Sequence, residues 1–238
     1  MALGRLTLAE IRQAARQRSD MVNSQFVTDP EFDSYINQSA YELYDLIIQK
    51  YGSDYYVASP LVFTIAPNQD THPLPNDFYK GLGVDLQINN ALDRWVRLNR
   101  FNFSDRNRFQ SAVAQPILGR TNLRYRFRDN VLWFTPVPSA GLTFRLWYIP
   151  RLTELVLDTD VLDGVSGWTE YVIIDAAIKA LQKEESDVSV LSGQKQAMIA
   201  RIEAAAENRD AGSPSTVSDT AVMSTEWGNG VGGFWGGW

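Results

Sequence analysis

The spacing of apolar positions along this chain changes twice, and the changes divide it into three. From Leu8 the spacing is helical: Leu8, Ile11, Ala15 and Met21 fall on one side, with Arg12, Arg16 and Arg18 on the other. Thr7 followed three residues later by Glu10 is a capping-box pattern for this short helix. Thr28, Asp29, Pro30 and Glu31 supply a second start, with a cap, a first-turn proline and early carboxylates. Phe32, Tyr35, Ile36, Ala40, Leu43, Tyr44 and Ile47 continue it as a stripe, and Gly52 is placed to end it in a left-handed conformation.

Around Tyr55 the period shortens. A strand is expected at Leu61 to Ile65, followed by a proline-rich turn that carries Thr71, His72 and Pro73. Short strands continue through GLGVDLQI, WVRLNRFNF, RYRFRDNVLWFTPVP and GLTFRLWYIP. Alternation is clearest where Leu123, Tyr125 and Phe127 face away from Arg124, Arg126 and Arg128, giving one apolar and one arginine face. Arg128, Asp129 and Asn130 fit a tight hairpin into Val131 to Thr135.

Helical spacing returns near Ser166, where a serine or glycine ahead of Trp168 can cap the first amides. Val172, Ile173, Ala176, Ala177, Ala180 and Leu181 make an apolar face, interrupted by the run Lys183 to Asp187. Val188, Leu191, Met198, Ile202 and Ala205 then form a second stripe close to a heptad seam, in which Lys195 and Arg209 take the remaining positions. Asn208 to Gly212 and Pro214 stop it. Two helices of this length cannot bury their faces on each other alone, so the hairpin needs partners from elsewhere in the chain or from another subunit. Val172, Ala176, Leu191, Met198 and Ile202 are the candidate core or subunit-interface residues.

The expected fold class is therefore α+β: N-terminal helices (1–54) and a C-terminal helical hairpin (158–212) forming a helical bundle, a small antiparallel β domain inserted between them (55–157), and an extended C-terminal tail (213–238). Ser, Thr and Gly dominate that tail, which cannot form a core of its own. Trp227, Phe234, Trp235 and Trp238, spaced by glycines, look like anchors on a tether.

Composition narrows the chemistry. The 238 residues include no cysteine, which excludes disulfides, thiolate metal sites and cysteine nucleophiles. No run approaches the roughly 20 apolar residues of a membrane span, so no membrane partner is expected. The N-terminal stretch reads as an amphipathic helix and not a signal peptide. His72, the single histidine, has no neighbouring nucleophile or second ligand and reads as a surface residue. Glu184, Glu185 and Asp187 are adjacent carboxylates that point to different faces. Asp158, Asp160 and Asp163 resemble a calcium loop only faintly, since the later bidentate glutamate is missing. The tail glycines have neither the strand nor the Lys-Ser of a phosphate loop. No catalytic residue, metal or cofactor is expected.

The net charge of −6 conceals an asymmetry. From Asp93 to Asp129 there are nine arginines and three aspartates, a balance of +6 that leaves −12 for the remainder. Arg94, Arg97, Arg100, Arg124, Arg126 and Arg128 form a charged band suited to pairing with acidic surfaces of neighbouring subunits. Beside Trp95, Phe101 and Phe103 the same arginines would also suit a nucleic-acid-binding module. A carbohydrate-binding tail protein with tryptophan platforms is a third reading.

TLAEIRQAARQRSD, FVTDPEFDSYINQSAYELYDLIIQKYGSDYY, LPNDFYKGLGVDL, FRLWYIP, DVLDGVSGWTEYVIIDAAIKALQKEESDVSVL and ARIEAAAENRDAG together resemble the head–tail connector, adaptor or neck proteins of tailed bacteriophages, over most of residues 5 to 215. The order of helices, β insertion and helical hairpin is similar to the adaptors of short-tailed phages. That resemblance implies a homo-oligomeric ring, typically of twelve subunits, beneath the portal protein in the virion neck, assembled in the host cytoplasm. A nozzle or tail-completion protein would join below, and genomic DNA would pass through without specific binding. It also implies helices packed between subunits and a C-terminal tail that docks on the portal, here through Trp227, Phe234, Trp235 and Trp238.

Overall fold

Two threonines set the start of the helical layer. In the computed structural model, which describes residues 6–52, 55–89, 91–109, 116–117, 120–162 and 168–207, helix α1 spans Leu8–Arg18 and α2 spans Asp29–Lys50. The Thr7 hydroxyl accepts the Glu10 amide (3.3 Å), while the Glu10 carboxylate accepts the Thr7 amide (2.8 Å), as the sequence predicts. These hydrogen bonds hold the Glu10 carboxyl below its ordinary pKa. At α2 the Glu31 carboxylate accepts the Thr28 amide at 2.9 Å. Gly52 takes φ 102° just beyond the helix, the left-handed terminator.

Helix α3 (Thr169–Lys183) begins three residues after the expected start; Ser166 lies outside the described residues. Helix α4 (Ser189–Glu207) follows a tight turn in which Glu185 has φ 58°. Lys183 pairs with Glu31 and Ser39 with Asp175, so α3 runs antiparallel to α2. Glu203 pairs with Lys50, so α4 runs alongside α2 in the same direction. One apolar core joins all four: Ile11, Phe32, Ile36, Ile47, Val172, Ala176, Met198 and Ile202 belong to it. The hairpin face is thus covered by α1 and α2 of its own chain.

The three arginines of α1 act as tethers. Arg12 grips Asp33 with two hydrogen bonds (2.7 and 2.9 Å) and reaches Asp158 at 2.8 Å. These partners, Asp33 foremost, raise its pKa. Arg16 collects the carbonyls of Met21, Ser24 and Val27, pairs with Asp29, and lies 4.5 Å over the Phe32 ring. Arg18 binds Glu170 at the start of α3. The carbonyls of Asp160 and Asp158 accept the Leu8 and Ala9 amides, giving two otherwise orphaned helix donors a partner.

The seam imperfection at Lys195 has a cause. Asp175, 2% exposed, sits in the apolar face of α3 and accepts hydrogen bonds from Lys195 (2.6 Å), Lys179 (2.6 Å) and Ser39 (2.7 Å). Glu42 of α2 accepts from both lysines at 2.9 and 3.1 Å, so two anions meet two cations. Burial opposes ionisation of Asp175, yet the Lys179, Lys195 and Ser39 hydrogen bonds outweigh it and the pKa is lowered. Burial likewise opposes the Lys195 charge, and Asp175 and Glu42 reverse this to raise its pKa.

The β unit contains two four-stranded sheets packed face to face. Strands β1 (Leu61–Ile65), β10 (Leu142–Pro150), β3 (Phe78–Asn89) and β4 (Arg94–Arg97) form the first, in that spatial order and all antiparallel. Strands β2 (Thr71–Pro73), β9 (Val131–Thr135), β8 (Arg124–Arg128) and β5 (Asn99–Arg100) form the second. The purely antiparallel expectation is corrected at its edge, because β5 runs parallel to β8. The physical reason is a sheet switch: β4 ends at Arg97, buried Leu98 crosses between the layers, and β5 resumes at Asn99 on the other sheet. A small pair, β6 (Pro116–Ile117) with β7 (Arg120–Thr121), adds a separate hairpin.

Between the sheets lie Phe63, Ile65, Val84, Leu86, Leu123, Tyr125, Leu132, Phe134, Phe144 and Leu146. The two-residue turn at Asp129 and Asn130 matches the sequence expectation, with Arg128 opposite Val131 and Asp129 at φ 49°. Gly81 lets the Phe127 ring approach the β3 backbone: a Cβ there would sit 2.1 Å from the ring. His72 is not in a surface turn. It lies on β2, half-buried and stacked 3.9 Å from Phe63, and this burial lowers its pKa.

The layers meet through tyrosines. Tyr44 of α2 packs with Ile48 against Ile149, and its hydroxyl donates to the Pro150 carbonyl at 2.7 Å. Burial, with Tyr79 and Asp45 nearby, pushes the Tyr44 phenol up to about 12. Tyr79 of β3 donates to Asp45.

Replacing Asp175 with alanine would leave Lys179 and Lys195 to share the Glu42 carboxylate and remove an acceptor of the Ser39 hydroxyl. Denaturant unfolding of Asp175→Ala is expected to show a loss of about 1–3 kcal/mol. Because the folded Asp175 pKa is lowered, its contribution is present above roughly pH 4 and is lost as pH falls through the folded value. Because the Lys195 pKa is raised, its contribution is present below roughly pH 10 and is lost as pH rises through the folded value. The difference between wild type and Asp175→Ala should therefore be flat between those limits.

Candidate functional site

Chemistry by side-chain convergence has little to work with here. Among the described residues, no three His, Cys, Asp or Glu side chains come together as metal ligands would. Asp160 accepts the Val156 and Leu157 amides at 2.8 Å, and Asp158 holds Arg12, so both carboxylates already have protein partners. Asp163 lies outside the described residues. Asp187 accepts the amide and hydroxyl of Ser189, both at 2.9 Å. Glu184 and Glu185 are exposed in the α3–α4 turn. A cleft of about 560 Å³ opens between the layers, lined by Tyr44, Tyr55, Tyr56, Pro150 and Leu152. No described helix is long and apolar enough to cross a membrane.

The arginine band, contiguous in sequence, is divided by the fold. Arg94 and Arg97 are exposed on β4, with Arg97 opposite Asp85 of β3. Arg124, Arg126 and Arg128 lie on β8, in the other sheet, opposite Thr135, Trp133 and Val131. The switch at Leu98 wraps the band around one side of the unit, from one outer face to the other.

The band also divides by what its members touch. Arg100 folds back to bind the Tyr125 hydroxyl (3.0 Å) and the Gly81 carbonyl (2.7 Å), above the Tyr125 and Phe127 rings. Arg126 reaches the Phe101 carbonyl at 3.4 Å and lies over Phe103. Arg128 is exposed, 3.8 Å from Asp129. Arg94 and Arg97 have no carboxylate partner among the described residues.

Sequence reasoning missed Arg145 and Asp85. Arg145 of β10 stacks between Trp95 (4.5 Å) and Trp147 (4.9 Å) and binds Asp85 at 2.8 Å; the Trp147 indole also donates to Asp85, at 2.7 Å. Alternation along β10 carried a signal, since Arg145 and Trp147 share a face opposite Phe144, Leu146 and Tyr148. The partner on β3 depended on register and was not visible.

The hairpin residues are all inside the chain. Val172, Ala176 and Ile202 are fully buried and Met198 nearly so, within the four-helix core, while Leu191 packs with Ile174, Ala177 and Ile178. Trp227, Phe234, Trp235 and Trp238 lie outside the described residues.

Residues 6–219 match the SU10 adaptor protein family, and the chain belongs to this family of phage head–tail adaptors. The search of curated proteins found no match.

The contacts predict two thermodynamic classes of arginine. Arg145→Ala strands the half-buried Asp85 and unstacks two indoles, with an expected loss of about 1–3 kcal/mol in urea unfolding and a red-shifted tryptophan emission. Arg94→Gln and Arg97→Gln, at exposed sites, should stay within about 0.5 kcal/mol of wild type.

Proposed function

We propose that this phage head–tail adaptor closes into a ring, twelve copies in the arrangement the family resemblance implies, seated beneath the portal in the virion neck. A nozzle or tail-completion protein would attach below, and genomic DNA would pass through the channel without specific binding. The observation that carries the reading is the family match, which spans both the helical layer and the β unit. Two features of the chain support it. Its helical core closes within one chain, so each subunit is a finished block that other phage proteins meet through its surface. Outside the arginine band the chain carries −12, and a negative channel lining repels the DNA backbone and prevents sticking. In this reading Trp227, Phe234, Trp235 and Trp238 dock on the portal.

The test is the mass of the purified protein by light scattering, alone and with the cognate portal. A complex containing twelve times the 26.8 kDa chain mass is expected on the portal. A chain that associates with neither itself nor the portal overturns the reading. Deleting residues 227–238 should weaken portal binding; unchanged binding removes the docking role of the tail and leaves the ring reading standing.

A further inference from the structure

Two exposed patches of opposite charge lie at opposite ends of the subunit. The first is on the β unit. The β3–β4 turn exposes Leu92 (64%), followed by Arg94, half-buried Trp95 and Arg97. The second is the α3–α4 turn, where Glu184, Glu185 and Asp187 precede Val190 (70% exposed). Glu184 receives only the Ser186 hydroxyl among the described residues, and Glu185 has no partner there. Each patch is an exposed apolar side chain beside charges mainly of one sign, the composition of an interface centre and its rim; Asp93, the acid within the basic edge, accepts the Trp95 indole N–H at 2.6 Å.

Their separation follows from the helix directions. The α3–α4 turn lies at the N-terminal end of α2, as the Lys183–Glu31 pair shows. The β unit joins at the other end, where Tyr44 and Ile48 meet Pro150 and Ile149. The 22 residues of α2 place about 33 Å of helix along that axis. Within one chain the two patches therefore cannot satisfy each other.

The geometry points to a head-to-tail contact between copies of this chain, in which the Leu92–Arg97 edge of one copy receives the Glu184–Val190 turn of the next. The inference rests on the ring reading above and names its interface. An antiparallel two-fold contact would pair each patch with its complement twice and stop at a dimer, whereas the ring reading requires a contact that repeats in one direction. Complementary patches on opposite ends supply such a contact, and it closes into a ring when each copy is related to the next by a rotation without translation. Nucleic acid is the less favoured occupant. Arg100, Arg126 and Arg145 are already engaged within the chain, so among the described residues the band is interrupted as a phosphate track.

The chain has no cysteine, which gives a clean test. The double variant Arg97→Cys/Glu185→Cys is assembled on the portal and oxidised. A ladder of covalent multimers beyond the dimer is expected, because each copy then carries both halves of the contact. A product that stops at the dimer, or no cross-link in a fully assembled ring, overturns the interface and leaves the ring reading intact. Failure of the wild-type chain to assemble on the portal overturns both. As a second measurement, Arg94→Gln/Arg97→Gln should weaken ring formation about tenfold, an effect that shrinks with added salt. If those substitutions lower DNA affinity and leave assembly unchanged, the edge is a nucleic-acid surface and the inference falls.

Discussion

A carboxylate sealed into an apolar helix face must be met by cations, and meeting that requirement at Asp175 fixes how three helices sit together. Lys179 comes from the same helix one turn on, Lys195 from α4, and Ser39 and Glu42 from α2. A purely apolar interface would tolerate small slides of one helix over another. Hydrogen bonds of 2.6–2.7 Å to one buried carboxylate do not. Lys195, which spoils the heptad seam when read as packing, is the residue that makes α4 register-specific.

The same network spans the chain. Ser39 and Asp175 are 136 positions apart, and the whole β unit lies between them. The helical layer is therefore completed only when the two ends of the sequence meet, at the entropic cost of closing a long loop, which the β unit reduces by folding within it. The arginines of α1 work on the same problem. Arg12 joins α2 to the segment around Asp158, and Arg18 joins α1 to the start of α3. They look like a solvated face in the sequence and are cross-chain clamps in the fold.

What was legible in the sequence was local. Helix starts at Thr7 and Thr28, the terminator Gly52, the strand at Leu61 to Ile65 and the hairpin at Asp129 all depend on neighbouring residues, and each is found where expected. What was not legible depends on pairing. The switch at Leu98 leaves no local mark, since WVRLNR reads as one strand whether or not it changes sheet. His72 looked exposed because its stacking partner, Phe63, is on another strand. The arginine band was visible as composition, but its division between structural and exposed members required knowing that Arg100 folds back onto Tyr125. The aromatic tail is outside the described residues, so its role rests on sequence alone.

The β unit is an insertion whose first and last strands, β1 and β10, pair antiparallel, with the Ala58 amide donating to the Tyr148 carbonyl. The chain thus enters and leaves the unit side by side, next to the Tyr44 contact. Two strands of backbone, not one, connect the layers. A pull between them divides across two covalent paths in parallel, and neither layer can swing on a single hinge. For a phage head–tail adaptor, that is the difference between a strap and a rope.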